Sequence, residues 1–234
     1  MLIRLLGFAA LVFSTVTLAQ VTTVTDVLGR QVSFDAPAQR VIVGFYPEDY
    51  MAIGTEAAYD HVVGMSKYIW QARPANWALY VKHRPSLAQI PGIGRVDTKT
   101  FSVEKVIGLH PDLLMLADWQ YKGLGADIER IEQAGIPVVV VDYNAQTLER
   151  HIKSTQLIGV ITGQQARAEK IANEYRQQSG HDPPTLSHCK FTQASKFTRS
   201  TAASGVNEIG YTFGKNMRGA IATMAEAIIF PPFY

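Results

Sequence analysis

Ser102-Val103-Glu104-Lys105-Val106-Ile107-Gly108-Leu109-His110-Pro111-Asp112-Leu113-Leu114-Met115-Leu116-Ala117 decides the fold of this chain. Ser102 stands where a helix needs an N-cap, because its hydroxyl oxygen can accept an N–H of the first turn. The helix is expected to run to about Leu109, and Pro111-Asp112 turns the chain. Leu113–Ala117 is then apolar without alternation, the pattern of a strand covered on both faces. A helix feeding such a strand predicts a crossover unit of a parallel sheet.

The same alternation continues outward. On the N-terminal side, Val24–Val27 and Gln31–Phe34 flank Leu28-Gly29-Arg30 and read as a hairpin. Arg40–Phe45 reads as the first buried strand. Tyr46-Pro47-Glu48-Asp49 is its exit loop, with Pro47 and two acids suited to a helix start. Tyr50–Ala58 is a short helix and His61–Met65 the next strand. Ser66 to Pro91 reads as a long irregular segment, a length that marks a functional or disordered loop. On the C-terminal side, Asp118-Trp119-Gln120-Tyr121 is a strand exit loop, Gly125–Ala134 a helix and Val138–Val141 a strand. Asp142-Tyr143-Asn144 follows, then helices over Leu148–Ile161 and Gln165–Gln178, with Gly163 ending the first.

Parallel sheets bind ligands beyond the carboxyl ends of their strands. The expected ends here are Phe45-Tyr46, Met65–Tyr68, Asp118-Trp119 and Asp142-Tyr143, and each carries an aromatic. Tyr46, Tyr68, Trp70, Trp119 and Tyr143 are therefore candidate ligand contacts, offering flat surfaces to a planar guest. Arg73 and Arg84 present forked donors suited to carboxylates of a chelate.

Composition narrows the function. The chain has 234 residues, a net charge of +2 and one cysteine, Cys189. That charge gives no electrostatic case for nucleic acid. A lone cysteine forms no internal disulfide, and no Cys/His cluster has zinc spacing. Pro91-Gly92-Ile93-Gly94-Arg95 lacks the third glycine of a dinucleotide loop, and Gly64-Met65-Ser66-Lys67 is not a nucleophile elbow. Carboxylates do not pair at catalytic spacing, so a binding protein rather than an enzyme is expected. Residues 1–19 read as a signal peptide: Arg4, an apolar run over Leu5 to Val16, and Thr17-Leu18-Ala19 before a mature start at Gln20. No Cys sits at that cleavage site, which favours a free periplasmic protein over a tethered one.

Four stretches resemble the substrate-binding proteins of ABC importers for iron-siderophore complexes, haem and cobalamin. They are Thr25-Asp26-x-x-Gly29-Arg30-x-Val32 with Pro37-x-x-Arg40-Val41, the loop at Tyr46, the quoted stretch from Ser102 to Leu113, and Gly163-x-x-x-x-Ala168-x-Lys170-Ile171-Ala172. The resemblance implies an α/β fold of two lobes joined by a helix, the ligand held between them and no resident cofactor. It places a Rossmann-like parallel-sheet lobe at 20–162 and the linker helix at 163–178. It further implies a monomer that docks on a permease and its ATPase through one carboxylate per lobe, the first mapping onto Glu104. The ligand it implies is an iron-siderophore-type metal chelate, with haem or cobalamin as alternatives. Haem could be ligated by Tyr or His.

Residues 179–234 depart from that pattern and read as the remnant of an incomplete second lobe. Ser179 to Ser204 shows no apolar periodicity, while Gly205–Ala225 again looks like a ligand loop and helix, with Glu208 and Tyr211 facing the ligand. Compensating frameshifts near Ser179 and Ser204, and another after Ala225, would produce this. The alternative to a working solute-binding component is then a truncated, non-functional product of a damaged binding-protein gene.

Overall fold

Alternate residues of the buried strands feed two separate cores, one on each side of a parallel sheet. The structure is a computed structural model and describes residues 20–179 apart from Gln146. Strands β3 (Val41–Val43), β4 (Val62–Met65), β5 (Leu113–Ala117) and β6 (Val138–Val141) lie in the order β4-β3-β5-β6, all parallel. A bridge from Met65 to Gly92 extends the β4 edge. Every residue of β3, β5 and β6 is buried. Val41, Val43, Leu113, Met115, Val139 and Val141 point to one core; Ile42, Leu114, Leu116 and Val138 point to the other.

Helices α1 (Pro47–Gly54) and α7 (Leu148–Thr162) cover the first face, through Tyr50, Ile53, Leu157, Ile158 and Ile161. Helices α4 (Val103–Gly108) and α6 (Asp127–Gln133) cover the second, through Val103, Val106, Ile128 and Ile131. Ser102 caps α4 as its sequence position implies, its Oγ accepting the Lys105 N–H at 3.1 Å. Gly163 ends α7 at φ 71°, a left-handed turn that glycine adopts without steric cost. Helix α8 (Gln165–Ser179) then packs back on α7 through Ala168, Ala172 and Tyr175. Among the described residues, no helix is long and apolar enough to cross a membrane.

The N-terminal hairpin pairs β1 (Gln20–Thr25) with β2 (Gln31–Ala36); it buries Val32 and Phe34 in the first core, donates the Val27 N–H to the Val140 carbonyl at 3.3 Å, and is further held by a charge cluster. Buried Asp26 accepts the Leu28 and Arg30 N–H groups through Oδ1 at 2.9 and 3.0 Å. Its Oδ2 takes Arg30 Nε at 3.0 Å and Nη2 at 2.8 Å. The same guanidinium donates to the Val138 carbonyl at 2.7 Å and to Glu132 at 3.0 Å, and lies 4.2 Å over the Tyr121 ring. The Asp26-x-x-Gly29-Arg30 spacing is therefore a docking clasp as well as a turn.

Three expectations are corrected. The segment Ser66 to Pro91 is mostly helical, holding α2 (Tyr68–Gln71), α3 (Pro74–His83) and a 3₁₀ turn at Pro85–Ala88. None of the α3 residues is fully buried, so no apolar period announced it. Asp118–Tyr121 is not a loop either. Helix α5 (Asp118–Leu124) starts at once after β5, with Gln120 Oε1 accepting the Ala117 N–H at 3.2 Å and Lys122 paired to Asp118 at 2.7 Å. Finally, α1 begins at Pro47 and ends at Gly54, and Glu56–His61 is a 3₁₀ turn. Ser179, the expected start of the second-lobe remnant, is the last residue of α8; residues 1–19 and 180–234, with the leader, the frameshift positions near Ser204 and after Ala225 and the rest of that remnant, lie outside the described residues.

Replacing Asp26 with Ala strands Arg30 and two backbone donors. Breaking such a pair by removing the buried partner is expected to cost about 3 kcal/mol, read as a lower urea midpoint with the slope unchanged.

Candidate functional site

The carboxyl ends of β3, β5 and β6 bring Phe45, Tyr46, Trp119 and Tyr143 into one continuous ring cluster. Phe45 meets Tyr46 at 4.8 Å and Trp119 at 5.1 Å between centroids, both edge-to-face. Tyr46 meets Tyr143 at 5.2 Å in the same manner. These are the separations that aromatic quadrupoles favour. Tyr46 and Tyr143 are buried, whereas Phe45 and Trp119 are only partly so. The cluster is thus an outer pair of rings backed by an inner pair.

Local chemistry sets each position. Gly44 is required because a Cβ there would lie 2.6 Å from Leu116 Cδ2 and 2.9 Å from the Met115 carbonyl. Tyr46 takes a left-handed conformation, φ 55° and ψ 51°, at the head of α1. That conformation is costly for a non-glycine residue and gathers at functional turns. Its ring contacts and its Oη, which accepts the Asn144 N–H at 3.2 Å, hold it there. Beyond β6, Asp142 Oδ1 accepts the Asn144 and Ala145 N–H groups at 2.9 and 3.1 Å, and Oδ2 takes Arg150 Nη1 at 2.9 Å. Tyr143 Oη bonds Thr155 at 3.0 Å. Burial first, and the Asp142 charge second, pushes the Tyr46 phenol well above its usual range; burial does the same for Tyr143. Both phenols stay protonated, so this wall is uncharged.

The remaining candidates are more scattered. Trp70 is not a rim residue: it is 0% exposed, stacked between Tyr59 at 5.8 Å and Tyr80 at 4.5 Å. It anchors α2 and α3 to the core and presents no face to a guest. Arg84 is structural too, donating to the Glu56 carbonyl at 2.8 Å and pairing with Asp60. Tyr68 is 39% exposed, with the Arg95 guanidinium 3.3 Å over its ring. Arg73 is exposed and stands 3.9 Å from Glu48. Glu104 is exposed on the first turn of α4 and pairs with Arg130 at 3.0 Å. Its own backbone N–H, then Arg130, holds its carboxyl below the usual range. Glu208 and Tyr211 lie outside the described residues.

Phe45, Arg95 and Arg150 are additions that the sequence reading passed over. Phe45 closes the apolar run that reads as a strand, but the strand ends at Val43. Arg95 lies three residues after Gly92, whose bridge to Met65 extends the β4 edge. Arg150 is the third residue of α7, paired to Asp142 and 4.0 Å from Asp118. Partly exposed guanidinium groups therefore stand on elements leaving opposite edges of the sheet, Arg95 beside β4 and Arg150 after β6. Among the described residues, no three His, Cys, Asp or Glu side chains converge as a metal site would require. An aromatic wall flanked by two guanidinium–carboxylate pairs, Arg95–Asp97 and Arg150–Asp142, suits capture of a guest.

Such a lobe defines a ligand-capturing α/β protein, and the comparisons with known proteins agree. The chain belongs to the periplasmic binding protein family, which matches residues 59–212 and so continues beyond the described lobe. That family is one of binding components, not of enzymes. The TroA-like periplasmic binding protein FepB from Veillonella parvula superposes with a TM-score of 0.62 at 29% identity, over 67% of this chain and 46% of its own. The molybdate-bound MolA of Haemophilus influenzae shares the fold, with a TM-score of 0.53 at 17% identity, over 65% of this chain and 49% of its own. An uncharacterized ABC transporter substrate-binding lipoprotein, YvrC of Bacillus subtilis, is 27% identical over 88 residues, 38% of this chain and 28% of that protein. The chain thus spans about half the length of the solved relatives it matches.

Gly44→Ala is expected to destabilise by about 1–3 kcal/mol through overpacking. The β3 exit must move to admit the methyl group, so tryptophan emission should also shift.

Proposed function

We propose that the chain is the solute-binding component of an ABC importer, exported to the periplasm, and that it captures an iron-siderophore-type metal chelate. The single observation carrying this is the Phe45–Trp119 pair, edge-to-face at 5.1 Å beyond the carboxyl ends of adjacent parallel strands. A sheet sealed on both faces leaves that rim as the surface for a guest. Rings there offer flat apolar contact, and the guanidinium groups of Arg95 and Arg150, paired to Asp97 and Asp142, carry further N–H donors for the oxygens of a chelate. Family membership supports the importer reading. On this reading Tyr68 and Arg73 border the same rim, and the second wall comes from beyond the described lobe, where Glu208 and Tyr211 fall.

Delivery needs a docking surface away from the rim. Glu104 supplies an exposed carboxylate that already holds a guanidinium, that of Arg130. A basic group on the permease is its proposed partner.

Titration of intrinsic tryptophan fluorescence with a ferric tris-catecholate, a ferric trihydroxamate, haemin and cobalamin tests the ligand reading. Quenching at micromolar concentration by one of the ferric siderophore complexes is expected. Trp119→Ala should weaken that complex by about 30-fold, the loss of about 2 kcal/mol typical of a central aromatic contact. Absence of quenching by all four probes, or an unchanged affinity in Trp119→Ala, overturns it. Glu104→Ala should leave that affinity unchanged and lower uptake in vesicles carrying the cognate permease.

A further inference from the structure

We propose that Gln120 is a positioning residue: its buried side-chain amide replaces the next rung of the β3–β5 ladder and thereby sets the Phe45–Trp119 pair. The role of that pair in ligand capture rests on the function proposed above.

The backbone ladder between these strands stops early. Val43 is the last residue of β3 in register with β5, opposite Met115. One further bond follows, from the Gly44 N–H to the Met115 carbonyl at 2.8 Å. Beyond it, among the described residues, no backbone–backbone bond joins the two exits. The next groups in line are the Gly44 carbonyl and the Ala117 N–H. Gln120 serves both, its Nε2 donating to the Gly44 carbonyl at 3.0 Å and its Oε1 accepting the Ala117 N–H at 3.2 Å. A primary amide carries one donor face and one acceptor face, as a peptide unit does, so it continues the ladder by one step.

Position makes the clamp consequential. Gln120 is 1% exposed. One end is tied to the residue before Phe45, while Gln120 itself follows Trp119 in the chain. The site is also closely fitted, since Gln120 Oε1 lies 3.0 Å from where a Cβ of Gly44 would be. An apolar residue at 120 leaves a buried carbonyl and a buried N–H without partners, a state that proteins avoid. The exits then separate or admit water, and the rings move with them. An ionised glutamate accepts from Ala117 but cannot donate to Gly44. A protonated glutamate does both, as the amide does.

That asymmetry supplies a test in which a merely structural role gives a different result. The chain holds three tryptophans, Trp70, Trp77 and Trp119. Protein labelled with 5-fluorotryptophan is read by fluorine NMR, with the Trp119 line assigned from Trp119→Phe. In Gln120→Met the Trp119 line should move while those of Trp70 and Trp77 stay. In Gln120→Glu the Trp119 line should be displaced at high pH and return to the wild-type position as the carboxyl protonates, with the wild-type line constant over the same range. Affinity for the ferric tris-catecholate should follow the same curve, about tenfold weaker on the ionised side, the worth of one buried hydrogen bond. A Trp119 line unmoved in Gln120→Met and independent of pH in Gln120→Glu overturns the proposal, as do three lines that move together. If the Trp119 line titrates as described while wild-type protein binds no ferric complex, the positioning role stands and the proposed ligand falls.

Discussion

A parallel sheet sealed on both faces is the constraint from which the rest of this lobe follows. Strands β3, β5 and β6 have no residue exposed to water, because α1 and α7 close one side and α4 and α6 the other. Continuous apolar strands leave no polar position inside the sheet from which to contact a solute. Recognition is confined to where the strands stop. There the backbone loses its ladder partners, and each exit must satisfy its own N–H and carbonyl groups.

The rim shows how that need is met and used. Asp142 folds back on the N–H groups of Asn144 and Ala145 while its other oxygen holds Arg150. Tyr46 enters a left-handed turn, and its hydroxyl accepts the Asn144 N–H from the β6 exit, two strands away across β5. Side chains spent on satisfying the backbone also join one exit to the next. The outer rings, Phe45 and Trp119, are therefore carried on a braced edge rather than on free loops, and a braced wall lowers the ordering cost of binding. The N-terminal clasp of Asp26 and Arg30 braces the β6 side in a similar way, since Arg30 reaches the Val138 carbonyl at the start of that strand.

Much of this was legible in the chain. Leu113–Ala117 and Val138–Val141 declared themselves because an unbroken apolar run bounded by turn residues has few other uses. Ser102 marked its helix because a hydroxyl before an apolar period is a capping group. The gathering of Tyr46, Trp119 and Tyr143 at one edge followed from the parallel sense of the strands, which puts all their carboxyl ends together. What stayed hidden was burial and turn economy. Trp70 and Trp119 read alike, yet one is the core of an aromatic stack and the other part of the rim, and composition does not distinguish a ring facing inward from one facing out. Helix α3 escaped because none of its residues is fully buried, and α5 because Gln120 caps it with no turn residue to announce the start. Phe45 was missed because a strand two residues shorter than its apolar run releases its last ring into the site.

Hydrogen exchange of backbone amides with and without the ferric tris-catecholate tests the account most directly. Bound ligand is expected to slow exchange at 44–46, 66–69, 118–121 and 142–145, with the opposite end of the sheet unaffected. Protection centred instead on 38–41 and 110–113, at the amino ends of the strands, would contradict it.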